Sequence, residues 1–93
     1  MKQGKEVVKN PPHYHSKCSE AEMKAIIERI NKRGYLEAID VIDAFKLDFS
    51  LASTTKYILR LGDKDDEITE LEKAAWYIDH EIEMRKAARG DKK

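Results

Sequence analysis

An all-α fold is predicted for this chain: a compact bundle of about four helices behind a flexible N-terminal arm. Three observations predict it. Apolar residues recur every three or four positions in four separate stretches, capping residues and glycines separate those stretches, and apolar–polar alternation is nowhere sustained. No Asn-Gly or Asp-Gly pair divides β-branched runs, so the hairpin signal is missing too.

Residues 1–12 lack periodicity, carry Lys2, Lys5 and Lys9, and end in Asn10-Pro11-Pro12, which favours an extended backbone. They are read as the arm. Ser19 with Glu22 forms a capping-box pattern, and Met23, Ile26, Ile27 and Ile30 keep helical spacing until Gly34, so a first helix is predicted over 19–33. Leu36, Ile39, Ile42 and Phe45 carry a second over 36–45, with Glu37, Asp40 and Asp43 on another face. Asp48 or Ser50 caps a third, predicted over 50–61 with the stripe Leu51, Thr55, Ile58 and Leu59 and a stop at Gly62.

The fourth and longest helix is predicted over 66–89. Acidic residues from Asp63 to Glu67 suit its N-terminus and Arg85, Lys86 and Arg89 its C-terminus, through the helix dipole. Its expected buried stripe is Leu71, Ala74, Ala75, Ile78 and Ile82. The expected core comprises Ile26, Ile27, Ile30, Ile39, Ile42, Leu51, Leu59, Leu71, Ala74, Ala75 and Ile78. Residues 13–86 are assigned to the helical domain and 87–93 to a disordered basic tail.

Ninety-three residues suit one domain with a modest core, so a ligand site must be shallow or shared between subunits. Homo-oligomerisation is expected, because Trp76 and Tyr77 extend an apolar strip beyond what four short helices cover. Basic and acidic residues balance at 18 each, so no global field draws the chain to nucleic acid or an anionic membrane. The single Cys18 excludes an intrachain disulfide, and no apolar run suits a membrane span or signal core. A cytoplasmic protein is expected.

Lys56 and Arg60 lie one helical turn apart, with Lys64 just past Gly62, which gathers three cations near one helix end. Arg offers a bidentate fork and Lys a compact charge, so the trio suits phosphate; a solvated face paired with Asp63, Asp65 and Asp66 is the alternative. Lys73, Tyr77 and His80 share a stripe beside Trp76, where rings could stack on a base; packing anchors are the alternative. His13 and Tyr14 precede a helix N-terminus, whose free N–H groups favour anions. Zinc ligation by His13, His15 and Cys18 lacks the usual paired spacing. Glu37 with Asp40 and Glu67 with Glu70 could hold magnesium from two helices, although chance spacing is common in so acidic a chain. The four glycines never cluster into a phosphate loop.

Four ordered segments carry a family resemblance: Pro11-Pro12-His13-Tyr14, Ile39 to Ile42, the Lys-Tyr-x-x-Arg-x-Gly-x-Lys run from Lys56 to Lys64, and the Leu-x-Lys-Ala-x-Trp-Tyr run from Leu71 to Tyr77. Together they resemble the small bacteriophage proteins of the SaV-like family, whose domain is also found in a phage nucleotide kinase lacking a P-loop. This chain departs from that pattern at Ala52-Ser53 and Glu70, where Gly-Asn and Asp are common. The resemblance implies a role in the host cytoplasm and a nucleotide-like ligand held by His13, Tyr14, Lys56, Arg60, Lys64, Lys73 and Tyr77.

The leading expectation is a module that binds a nucleotide or nucleotide-derived ligand, with sequestration of a host immune messenger, an anti-defence role, as one version. His80 joins the ligand-binding set from the helical stripe, and catalytic residues are unassigned. One alternative is a P-loop-less nucleoside monophosphate kinase, which would need Mg2+; the binding module needs no cofactor. The other is a protein-interaction factor acting on a host defence or replication protein.

Overall fold

The computed structural model describes residues 15–90, which are helical throughout their regular structure and contain no strand. The predicted all-α class holds. Its four helices are α1 (Glu20–Arg33), α2 (Ala38–Phe45), α3 (Phe49–Leu59) and α4 (Glu67–Arg89). None of the four is long and apolar enough to cross a membrane. The proposed arm, with His13 and Tyr14, lies outside the described residues.

Local chemistry sets the boundaries. Ser19 Oγ accepts from the Glu22 amide at 3.1 Å and Glu22 Oε1 accepts from the Ser19 amide at 2.9 Å, the reciprocal box expected for α1. Gly34 closes α1 at φ +92°, where a side chain would be strained, and its N–H donates to Ile30 O. Asp48 caps α3 through the Leu51 amide. That helix ends at Leu59, and residues 60–63 turn through Gly62 at φ +84° toward α4. Asp66 then accepts from the amides of Ile68 and Thr69.

The expected tail needs correction at its start. Residues 87–89 are the last turn of α4, which Gly90 caps in the left-handed conformation; residues 91–93 lie outside the described set. Two alanines of high helix propensity and a basic end that complements the dipole extend the helix that far.

Packing runs in series, α1 on α2, α2 on α3 and, most extensively, α3 on α4, with no contact between α1 and α4. The arrangement is therefore open rather than compact. Its radius of gyration is 17.2 Å, against about 12 Å for a compact domain of this length. A backbone anchor precedes α1: the amides of Lys17 and Cys18 both donate to Ala44 O at the end of α2.

Ile26, Ile42, Ala44 and Ala74 are buried, and so are Asp40, Ser50, Thr54 and Glu70. The expected core is thus only partly the real one. Ile26, Ile42 and Ala74 are inside and Ile30 and Leu51 are half-buried, but Ile27, Ile39, Leu59, Leu71, Ala75 and Ile78 are exposed. For Leu71, Ala75 and Ile78 the reason is the rotation of α4, which turns Glu70 and Ala74 toward the interior and its apolar stripe outward; Ile27, Ile39 and Leu59 stay open because the helices pack only in series.

Candidate functional site

Charged and aromatic side chains meet at two places, the α1–α2 junction and the α3–α4 face. At the first, Asp40 is almost completely buried, yet each of its oxygens is held by a guanidinium. Arg29 donates to Oδ1 through Nε at 3.0 Å and Nη2 at 2.7 Å, and Arg33 donates to Oδ2 through Nη1 at 3.1 Å and Nη2 at 2.7 Å. The Glu37 amide adds a third donor at 2.7 Å. Burial pushes the Asp40 carboxyl upward, but the Glu37 amide and the two guanidinia outweigh it, so the group ends below the ordinary aspartate value. A cleft of about 470 Å³ beside it is lined by Glu22, Arg29, Asp43 and Lys46. All four charges are already paired there, Arg29 with Asp43 at 3.0 Å and Lys46 with Glu22 at 2.7 Å.

The α3–α4 face is different. Tyr57 on α3 stacks on Tyr77 of α4, with centroids 5.9 Å apart and planes inclined by 23°. Over the Tyr57 ring lie two cations, Arg60 with Cζ at 4.8 Å and Lys73 with Nζ at 5.7 Å. Phe49 and Trp76 approach Tyr77 edge-on, at 5.8 and 5.1 Å. Trp76 in turn lies parallel to His80, 5.3 Å away and inclined by only 4°. Helical spacing makes this patch, since positions 73, 77 and 80 share one face of α4, which meets Tyr57 in the last turn of α3 and Arg60 at its C-cap.

Arg60 also joins this patch to a cleft of about 580 Å³ between the start of α2 and the end of α3. Leu36, Ala38, Val41 and Leu59 form its apolar walls, and Lys56, Arg60 and Glu37 supply its charges. Lys56 and Arg60 are thus brought together as their spacing predicted. Lys64 is exposed in the turn beyond and does not line the cleft. Neither Lys56 nor Lys64 makes an ion pair among the described residues. Lys73 is engaged: Asp65 accepts from its ammonium at 3.1 Å, which holds it above the ordinary lysine value.

Sequence reasoning weighed Glu70 as a magnesium ligand and as a departure from the family pattern but did not foresee its burial beneath Arg60. It is completely buried, neither carboxylate oxygen has a hydrogen-bond partner, and Arg60 Nε lies 3.5 Å from Oε2, beyond good hydrogen-bond length. The signal available was its position one turn before Ala74, on the stripe that α3 covers. Tyr57 and Phe49 were also overlooked, although Tyr57 sits inside the segment that names Lys56 and Arg60.

The carboxylate pairs weighed for magnesium do not converge. Asp40 is occupied by Arg29 and Arg33 and Glu70 faces Arg60, and among the described residues no three His, Cys, Asp or Glu side chains gather as a metal site.

A family model described as a protein of unknown function, DUF3310, matches residues 8–79. No curated protein and no solved structure matches the chain.

Proposed function

This chain belongs to the DUF3310 family, whose description assigns no activity, and we propose that it binds an anionic, ring-bearing small molecule of the nucleotide class. One observation carries the reading: the Arg60 guanidinium lies over the Tyr57–Tyr77 stack and at the same time lines the cleft that holds Lys56. Phosphate oxygens need cations in a partly desolvated place, and a base needs an aromatic face; here the two adjoin. Arg60 approaches Glu70 through Nε at 3.5 Å, and its terminal nitrogens make no hydrogen bond among the described residues. Its terminal nitrogens can still form a fork for two phosphate oxygens.

The resemblance of residues 11–14, 39–42, 56–64 and 71–77 to the SaV-like phage proteins supports the same ligand class. On that reading the protein acts in the cytoplasm of a bacterial host, where it withdraws a nucleotide or nucleotide-derived signal. Binding is favoured over phosphoryl transfer because Asp40 and Glu70, the inner members of the two acidic pairs, already face arginines.

The test is calorimetry of the full chain against nucleoside mono- and triphosphates and cyclic or ADP-ribose-type messengers. Saturable binding of at least one is expected, and no heat with any of them at about millimolar concentration, where even weak complexes form, overturns the reading. Arg60→Lys should weaken binding and Arg60→Ala should weaken it further, by about 1.5 to 3 kcal/mol in all, the scale of hydrogen bonds to a charged group. Arg60 also faces buried Glu70, so Lys56→Ala serves as the cleaner variant. Lys56 has no ion pair to lose among the described residues, and its substitution should lower affinity while leaving the melting temperature in place.

A further inference from the structure

The apolar stripe of α4 points away from its own protomer. Ile68, Leu71, Ala75, Ile78 and Ile82 follow one another at alternating steps of three and four residues, the spacing that keeps one seam straight along a helix that pairs with another. All five are exposed. Ile68 retains 62% of its accessible surface, Leu71 46%, Ile78 43% and Ile82 46%, while the face packed on α3 is built from Glu70, Ala74 and Tyr77. The more apolar side of the longest helix therefore has no cover within the described chain, since α3 is the one described helix packed on α4 and it takes the other face.

We infer that this stripe is covered by α4 of a second copy, packed antiparallel about a two-fold axis near the middle of the helix. The charges argue for the second copy and for its direction. Glu67 and Glu72 stand at the start of α4 and Lys86 and Arg89 close its end, beyond Glu83 and the Glu81–Arg85 pair, so the two end turns of the helix are opposite in sign. Parallel pairing would set acid against acid and base against base. Glu72, Asp79 and Lys86 lie on the same edge of the stripe at heptad intervals, and none makes an ion pair among the described residues; with the axis beside Asp79, two Glu72–Lys86 contacts between copies offset the one meeting of Asp79 with its own counterpart. In the antiparallel arrangement that edge meets its own counterpart running backwards, which brings each Glu72 toward the basic end of the other helix. Ala75 supplies a small position near the centre, where two helices can approach closely. The N-terminal residues are a poor match for the stripe, since in 1–12 only Met1, Val7 and Val8 are large apolar residues and they show no helical spacing.

Sedimentation of the full chain tests the inference. At about 100 μM, a concentration that reveals even modest association, wild type should sediment as a dimer or a multiple of it, and a monomer would overturn the proposal. Ile78→Glu places a charge on the seam without disturbing packing inside the protomer. It should weaken self-association by more than about tenfold while helicity by circular dichroism is kept. An oligomer indifferent to Ile78→Glu would show that another surface, or another segment of the chain, is responsible. Glu72→Lys and Lys86→Glu should each weaken association several-fold, and the two together should restore it. Additive loss in the double variant would overturn the antiparallel direction.

Discussion

Asp40 and Glu70 are the two most deeply buried large side chains among the described residues, and their surroundings treat them in opposite ways. Asp40 accepts from two arginines and a backbone amide, so its charge is satisfied inside the fold. Glu70 has one guanidinium edge at 3.5 Å and no hydrogen bond. Removing Arg60 strands a buried carboxylate, and removing both partners does not. A double-mutant cycle of Arg60→Ala with Glu70→Gln in urea should therefore show a coupling of about 1 to 2 kcal/mol, kept modest because the arginine is partly exposed. Independent, additive effects would mean that the two charges do not act on each other. Acid should act at the other junction. The Lys46 hydrogen bond, with the Ser19 amide, holds Glu22 down from an ordinary 4.5 to about 2, and Asp40 is lowered as well. Carboxyls depressed in the folded state stabilise it above their ordinary values and lose that contribution as pH falls toward the folded ones. Urea midpoints should accordingly drop between about pH 4.5 and pH 2, and a flat profile across that window would contradict the assignment. Glu22 is exposed, so salt should erode its share and leave that of Asp40.

At the scale of the element, caps and rotation about the helix axis are separate problems. Ser19 satisfies an orphan amide of α1, and Ser19→Ala should cost about 1 kcal/mol by thermal or chemical unfolding. Rotation decides the fate of neighbours on α4. Ala74 is buried against α3 and Ala75 beside it is exposed, although both belong to the stripe expected to be inside. In the Ile78→Glu background, where the seam between copies is open, Ala74→Leu should overpack the α3–α4 interface and destabilise by about 1 to 3 kcal/mol, whereas Ala75→Leu should not destabilise. Equal losses at the two positions would mean that α4 is rotated from the orientation seen. The same rotation aligns Lys73 and Tyr77 with Tyr57, so the candidate site depends on it.

At the scale of the molecule, the described residues form a series of four helices, each packed on the next, with the apolar stripe of α4 on the outside. A monomer so arranged buries few aliphatic side chains and leans on polar junctions. Self-association through α4 would add the missing apolar layer, and it has a thermodynamic signature. Melting temperature should rise with protein concentration in wild type and become independent of it in Ile78→Glu. Ligand binding, if it occurs on the Tyr57–Arg60 side, should survive that substitution. Loss of binding in step with loss of association would instead place the site between copies.

Sequence alone determined the helical class, the order of the four helices and most of their ends, because caps and spacing act through bonds and contacts within a few residues. The Ser19–Glu22 box, Gly34 and Asp66 are local devices of this kind. It also placed Lys56 with Arg60 and Lys73 with Tyr77, since neighbours on one helix face follow from 3.6 residues per turn. Only the tertiary structure decided which face turned inward. Periodicity groups Leu71, Ala75 and Ile78 into one stripe, but burial in a protomer and burial in a partner reward that stripe equally, so spacing cannot choose between them. Nor could it pair Arg60 with Glu70 or bind Asp40 to Arg29 and Arg33. Those pairs form across turns, where direction is set by how whole helices settle on one another rather than by the residues between them.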